Sequence, residues 1–261
     1  MTQSAQIRTL EGRVALVTGA GGGLGRGIAL ALAEMGARVV IAARRGVTGE
    51  ETAALIRAEG GEALALEVDV TVLASVQAAV GATLERFGGL DILVHNATHG
   101  ASGHPKQLEA FDDQDWDDQV AVDLAGAHHC ALAAFEALRA SDAARAVFLC
   151  SAFGLHGAAL NPAYAAIKGA IRGLTKALAR EWGPFGITVN AISPSALTSA
   201  AEAFFASNPA LYQDYLGKFP LGRIGHERDD VGRAVAGLCG PGMGYVTGQI
   251  IQVDGGLYTA V

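Results

Sequence analysis

Arg13-Val14-Ala15-Leu16-Val17 reads as a buried strand, and it runs directly into Thr18-Gly19-Ala20-Gly21-Gly22-Gly23-Leu24-Gly25. From Gly23 to Met35 the apolar spacing turns helical, and Gly36 stops it. A strand, a glycine loop and a helix in that order form the opening of a dinucleotide site. Glycine lets the backbone turn tightly and approach a pyrophosphate, whose charge meets the unpaired N–H groups at the helix start. Gly19, Gly21, Gly22, Gly23, Leu24 and Gly25 are therefore candidate cofactor contacts. A tight strand-to-helix turn also favours glycine, so the rest of the chain has to decide.

The alternation continues. A strand at Arg38–Ala42 leads to Ala43-Arg44-Arg45-Gly46, and a helix runs from about Gly49 to Glu59. A strand at Ala63–Val68 precedes a helix in which Leu73, Val76, Val80, Leu84 and Phe87 recur at helical spacing until Gly88-Gly89 close it. Leu90–Ala97 is a buried strand with a polar end, and an alanine-rich helix spans Trp116 to Arg139. Strands follow at Ala146–Cys150, Ile187–Ile192 and Gln249–Val253, with a helix near Asp229–Leu238 before the last. This pattern predicts an α/β fold of the doubly wound Rossmann type. The βαβ rhythm breaks after Pro194, where Phe204, Phe205, Leu211, Tyr212, Tyr215, Leu216 and Phe219 stand at helical intervals, as expected of a lid over about 196–222.

Composition narrows the function. The 261 residues are 51% hydrophobic, enough for a large core, and no linker divides them, so residues 1–261 read as a single domain. Only 17% are charged and the net charge is −7, which offers no basic surface to nucleic acid or anionic membrane. Cys130, Cys150 and Cys239 have no C-x-x-C spacing, as expected of buried thiols in a reducing cytoplasm. Met1–Leu10 lacks a signal pattern, and no uninterrupted apolar run reaches membrane-spanning length, so a soluble, cytoplasmic protein is expected. His99 and His104 share a loop without a carboxylate or cysteine pattern around them, and no metal is expected.

Tyr164 and Lys168 lie one helical turn apart on one face, with Ser151 thirteen positions upstream at a strand end. A fixed ammonium stabilises a phenolate, and a hydroxyl at a strand end can hydrogen-bond a substrate oxygen that gains charge. The same spacing also fits a half-buried tyrosine beside a solvated lysine. The ordered set of motifs separates the two readings. Thr18-Gly-x-x-x-Gly-x-Gly25, Asp69-Val70, Asn96-Ala97, Ser151, Tyr164-x-x-x-Lys168, Asn190 with Pro194 and Thr198, Pro220-Leu-Gly-Arg223, and Gly248-Gln249 before Asp254-Gly-Gly256 occur in sequence. Together they resemble the classical short-chain dehydrogenase/reductase family over nearly the whole chain, close to 3-oxoacyl carrier-protein reductases and related carbonyl reductases.

The resemblance implies a seven-stranded parallel sheet, commonly a homotetramer, and a catalytic set of Ser151, Tyr164 and Lys168. Ser151 would bond the carbonyl oxygen and Tyr164 would pass the proton. Lys168 would hold the nicotinamide ribose and stabilise the phenolate. Asp69 and Val70 would touch adenine, although Asp69 also fits a plain turn residue. Asn96 and Ala97 would line the cofactor cleft, while Pro194, Leu197 and Thr198 would position the carboxamide end. Ala43 stands where members that prefer NAD usually hold Asp, and Arg44 beside it can grip a 2′-phosphate, so NADP(H) is favoured over NAD(H). As a solvated loop charge Arg44 would carry no such meaning, and the family's other NADP mark is replaced by Gly22.

Four departures stand out. Asp123, in Asp123-Leu124-Ala125-Gly126, replaces the family's fourth catalytic residue, an Asn, and adds a negative charge near Lys168. His95 and Thr98 replace the outer members of the Asn-Asn-Ala-Gly segment, and Ser195 replaces the Gly after Pro194. The expected activity is an NADP(H)-dependent ketone and secondary-alcohol oxidoreductase acting on a mainly apolar small molecule, given Phe153, Leu155, His156 and Leu197. A 3-oxoacyl carrier-protein reductase is the alternative within the class. A catalytically weakened dinucleotide-binding module is the alternative outside it.

Overall fold

In the computed structural model, residues 8–197 and 205–259 are described. Seven strands form one sheet: β1 (Val14–Thr18), β2 (Arg38–Ala43), β3 (Ala63–Glu67), β4 (Ile92–His95), β5 (Arg145–Leu149), β6 (Thr188–Pro194) and β7 (Ile250–Val253). Their order is β3-β2-β1-β4-β5-β6-β7 and every pairing is parallel. The order reverses between β1 and β4, and a parallel sheet opens a crevice at the carboxyl ends of its strands at such a point.

Side chains alternate between two covered faces, which is why the central strands read as continuous apolar runs. Leu16, Val40, Leu93 and Phe148 face one layer, made of α3 (Leu73–Phe87), α5 (Gly126–Arg139) and α7 (Pro162–Trp182). Val17, Ile41, Val94 and Val147 face the other, where Ile28 and Leu32 of α1 (Gly23–Glu34) and Val235 and Leu238 of a helix at Arg233–Cys239 pack. The remaining α-helices among the described residues are α2 (Gly46–Ala58), α4 (Asp113–Gln119), α6 (Phe153–His156) and α8 (Pro209–Leu216), which makes Arg233–Cys239 α9. The three cysteines are buried and unpaired, and burial pushes the Cys130 and Cys239 thiols up to about 12.

Several boundaries differ from the sequence reading, each for a local reason. The helix expected over Trp116–Arg139 starts at Asp113, capped reciprocally by Asp112 and Asp115, and is interrupted by a π-helical turn at Val120–Ala125. That wider turn carries Asp123. The strand expected over Leu90–Ala97 is confined to Ile92–His95, because the N–H groups of Asn96 and Ala97 donate to the Thr18 hydroxyl. The strand ending at Ile192 continues to Pro194, since Ser193 and Pro194 pair with Gln252 and Val253. The helix near Asp229–Leu238 begins with a second π-helical turn, Glu227–Gly232. Of the expected lid, residues 198–204 lie outside the described residues, and α8 with Phe205 stacked on Tyr215 represents the rest.

The second π-helical turn sits directly against α1. A Cβ at Gly27 would come within 2.5 Å of the Glu227 carbonyl carbon, and one at Gly232 within 2.6 Å of the Gly27 oxygen. The two backbones thus touch with no side chain between them. Gly27→Ala should therefore destabilise the fold by about 1–3 kcal/mol through overpacking, read from urea unfolding midpoints at constant m-value.

Candidate active site

The polar groups of the crevice converge on Thr18, the last residue of β1. Its hydroxyl accepts the N–H groups of Asn96 and Ala97, each at 3.1 Å, and stands 3.2 Å from His95 Nδ1. Asn96 in turn donates from Nδ2 to the carbonyls of Thr18 and Gly19, each at 3.1 Å. This lattice brings the two halves of the sheet together beside the glycine loop, and it explains two glycines. A Cβ at Gly19, where φ is +65°, would meet the Ala97 Cα at 2.8 Å, and one at Gly25 would meet the Gly19 oxygen at 2.3 Å.

A cleft of 760 Å³ opens beside the loop. Gly19, Gly21, Gly22, Gly23, Leu24 and Gly25 line it, with Arg44 and Arg45 after β2 and Thr48 in the first turn of α2. Asp69, Val70, Asn96, Ala97, Thr98 and His99 line it as well. Arg44 is exposed, and its charge helps hold the Asp69 carboxyl below the usual carboxylate range; the larger causes are the Thr71 hydroxyl and N–H, which Asp69 accepts at 2.7 Å and 2.9 Å. Asp69 is thus a turn residue that also faces the cleft. The N-terminus of α1 has no side-chain cap and no acidic residue in its first turn, and a Cβ at Gly22 would meet no protein atom. A helix start left open in this way suits the phosphates of a dinucleotide.

The second cluster forms where β5 passes into α6 and α7. Lys168 is 4% exposed; its ammonium donates to the Leu149 carbonyl at 3.2 Å, pairs with Asp123 Oδ1 at 3.3 Å and lies 5.4 Å from the centre of the Tyr164 ring. Burial alone would pull this ammonium down, but attraction by Tyr164 and Asp123 outweighs burial and holds it above the ordinary lysine value. The half-buried Tyr164 ring meets Phe153 edge-on at 6.1 Å, and the Phe153 N–H donates to Ser151 Oγ at 3.2 Å. A fixed positive charge beside a phenol stabilises phenolate, and a hydroxyl near it can donate to a substrate oxygen.

Asp123 is fully buried, and all its partners are donors. Oδ1 accepts the Thr98 hydroxyl as well as the lysine, while Oδ2 accepts the His99 N–H at 2.7 Å and the Ser102 hydroxyl at 3.1 Å. Neither Ser102 nor His99 stood out in the sequence as a partner of this residue. The signal was available in principle: Thr98 and Asp123 both depart from the family pattern, and the two side chains touch. Pro194 ends β6, and the Leu197 N–H donates to the Gly225 carbonyl at 2.9 Å; both stand apart from the 760 Å³ cleft. Thr198 lies outside the described residues.

Comparison with known proteins gives the family of the fold. The family model described as Enoyl-(Acyl carrier protein) reductase, of the short-chain type, matches residues 19–258. The chain belongs to the short-chain dehydrogenase/reductase family. Similar members include the uncharacterized oxidoreductase YgcW of Escherichia coli K12, 36% identical over 97% of this chain and 95% of that protein. The short-chain reductase NovJ of Streptomyces niveus is 34% identical over 97% of each chain. The 3-oxoacyl-[acyl-carrier-protein] reductase FabG of Staphylococcus aureus is 35% identical over 94% of this chain and 97% of its own length. A crystal structure from Sinorhizobium meliloti 1021, described as a short-chain alcohol dehydrogenase, superposes with a TM-score of 0.89 at 38% identity, covering 97% of this chain and 98% of that one. The protein is thus an oxidoreductase of a family that uses nicotinamide dinucleotides on small molecules. Among the described residues no helix is long and apolar enough to cross a membrane, and no cluster of histidine, cysteine and carboxylate could hold a metal ion.

One family position has changed its chemistry. His95 is 3% exposed, and because the Thr18 hydroxyl accepts two backbone N–H groups, its own proton goes to Nδ1. The imidazole is therefore neutral with its proton on Nε2, which meets no acceptor at normal hydrogen-bond geometry and interacts only weakly with the Asp123 main chain. Burial first, and then the nearby Lys168 charge, lower its pKa from 6.5 to about 4. An unfolded chain takes up this proton near 6.5 and the folded one only near 4, so stability falls as pH drops through that window. Wild type should lose roughly 2–3 kcal/mol more than His95→Asn between pH 7 and pH 4.5, measured by urea unfolding at each pH.

Proposed function

We propose that the protein interconverts a ketone and a secondary alcohol with NADP(H), and that Tyr164 carries the proton. One observation supports this most: the buried Lys168 ammonium, 5.4 Å from the Tyr164 ring centre and paired with Asp123, puts a permanent positive charge where a phenolate would need it. When bound, the nicotinamide supplies or receives the hydride. In the direction of reduction, Tyr164 gives its proton to the carbonyl oxygen and Ser151 hydrogen-bonds that oxygen as its charge grows. Lys168 stabilises the phenolate left behind, and its remaining N–H can hold a ribose hydroxyl. In oxidation Tyr164 takes the proton back.

Gly19 and Gly21–Gly25 would receive the pyrophosphate, Asp69 and Val70 the adenine, and Asn96 and Ala97 the middle of the cofactor. Pro194, Leu197 and Thr198 would hold its carboxamide end. Arg44, exposed on the rim of the cleft with Ala43 in place of an acid, favours the 2′-phosphate and hence NADP(H). Phe153, Tyr164 and the stacked pair His156 and Tyr258, 5.0 Å apart, favour a mainly apolar substrate of moderate size. Residues 1–261 act on this reading as one domain. Trp116, Leu132 and Phe185, large apolar side chains left exposed, favour a homotetramer.

The FabG relative favours a second reading, a 3-oxoacyl carrier-protein reductase. NADPH oxidation measured in parallel with free ketones and a carrier-linked 3-oxoester separates the two: faster turnover of the linked substrate selects the second.

Tyr164→Phe should abolish turnover while NADPH affinity, followed by fluorescence titration, stays within about twofold. Undiminished turnover would remove Tyr164 from the chemistry, and a wild type that binds NADPH but reduces no carbonyl would make the chain a binding module. Arg44→Ala should weaken NADPH by roughly ten- to a hundredfold and leave NADH nearly unchanged. Equal losses for both nucleotides would show that Arg44 does not read the 2′-phosphate.

A further inference from the structure

The carboxylate of Asp123 holds four donors at once, two on each oxygen. Oδ1 meets the Thr98 hydroxyl and the Lys168 ammonium; Oδ2 meets the His99 N–H and the Ser102 hydroxyl. A carboxylate has about four lone-pair sites, so this set fills it. Two of the donors, the hydroxyls, can rotate and accept instead. The other two, the His99 N–H and the ammonium, can only donate, and they sit on different oxygens. An amide at position 123 has one oxygen and one NH₂, and in either orientation it turns the NH₂ onto a group that cannot accept. The Asn usual in the family therefore cannot reproduce this arrangement.

The three loop donors, Thr98, His99 and Ser102, lie on the segment that follows β4, and Thr98 and His99 line the nucleotide cleft. We propose that Asp123 is a positioning residue whose carboxylate clamps the 98–102 loop along the cleft and holds the Lys168 ammonium with the same two oxygens, so that loop order and lysine placement are coupled. This inference rests on the reading of Lys168 given above. It differs from the family pattern, in which the equivalent side chain is an amide and the loop begins with glycine. The groups that face Lys168 are Tyr164 on its own helix, Asp123 on the π-helical turn, Cys150 after β5 and His95 at the end of β4.

Asp123→Asn, although it installs the family's usual residue, should impair the protein. The amide oxygen is expected to stay on the ammonium, because a bond to a charged donor is the stronger one, leaving NH₂ against the His99 N–H. Hydrogen exchange of the substrate-free, full-length chain reads this directly. The His99 amide should exchange at least about tenfold faster in Asp123→Asn, with a smaller increase in Ser102→Ala. With NADPH and a ketone, Asp123→Asn should lower kcat roughly ten- to a hundredfold and move the basic limb of its pH profile to lower pH, since the ammonium has lost a negative neighbour. Ser102→Ala, which changes no charge, should leave that limb in place. Unchanged His99 exchange in both variants overturns the proposal, as does an Asp123→Asn enzyme with wild-type kcat and pH profile. If Asp123→Asn fails to fold, His99 exchange in Ser102→Ala decides alone. A wild type that turns over no carbonyl or alcohol defeats the reading as a reductase, and the exchange measurement still decides this one.

Discussion

An ammonium buried in an α/β core is costly unless its charge and its donors are met. Lys168 is such a group, and much of the surrounding architecture follows from satisfying it. The Leu149 carbonyl at the end of β5 takes one donor and the Asp123 carboxylate another. The segment after β5 must then lie directly on α7. A Cβ at Gly154 would fall 2.4 Å from the Lys168 carbonyl carbon, so no side chain fits between them. That close approach also brings Ser151 and Phe153 to the tyrosine one helical turn from the lysine. Cys150 fits the same logic, its thiol turned inward to the Lys168 carbonyl at 3.2 Å.

Much of this was legible in the order of residues. Strand, loop and helix periodicity defined the alternating units, and the glycine positions marked where backbone had to meet backbone. The seven-stranded parallel sheet follows from those units together with the family resemblance. What could not be read were contacts between residues distant in sequence. The π-helical turn at Val120–Ala125 leaves no mark in an apolar pattern, because one added residue in a turn resembles ordinary drift of a helical stripe. The early end of β4 depends on a hydroxyl 78 positions away. Arg44 beside Asp69 is likewise a tertiary fact, although each was singled out separately.

The departures from the family pattern prove more coherent in space than in sequence. Thr98 for glycine and Asp123 for asparagine are two sides of one hydrogen bond. A carboxylate without added donors would be a buried charge short of partners, and the Thr98 and Ser102 hydroxyls with the His99 N–H supply them. His95 replaces another asparagine, yet it keeps the tie to β1 through the Thr18 hydroxyl. Its opposite nitrogen has only a weak interaction with the Asp123 main chain, a local cost of the exchange.

The reversal of strand order divides the molecule's labour along a line. The glycine loop, Arg44 and Asp69 stand on the β1–β3 side, whereas Ser151, Tyr164, Lys168 and Asp123 stand on the β4–β6 side. The two sides are sewn together by Thr18 with Asn96 and His95, and at the other end of the strands by Asp91, which accepts the Val14 N–H at 2.8 Å. Each side can therefore accumulate substitutions that alter its own task without disturbing its neighbour's, provided the stitches remain. A chain built on this plan can be retuned on one side of that line at a time, with Thr18 and Asp91 carrying the ties that both sides need.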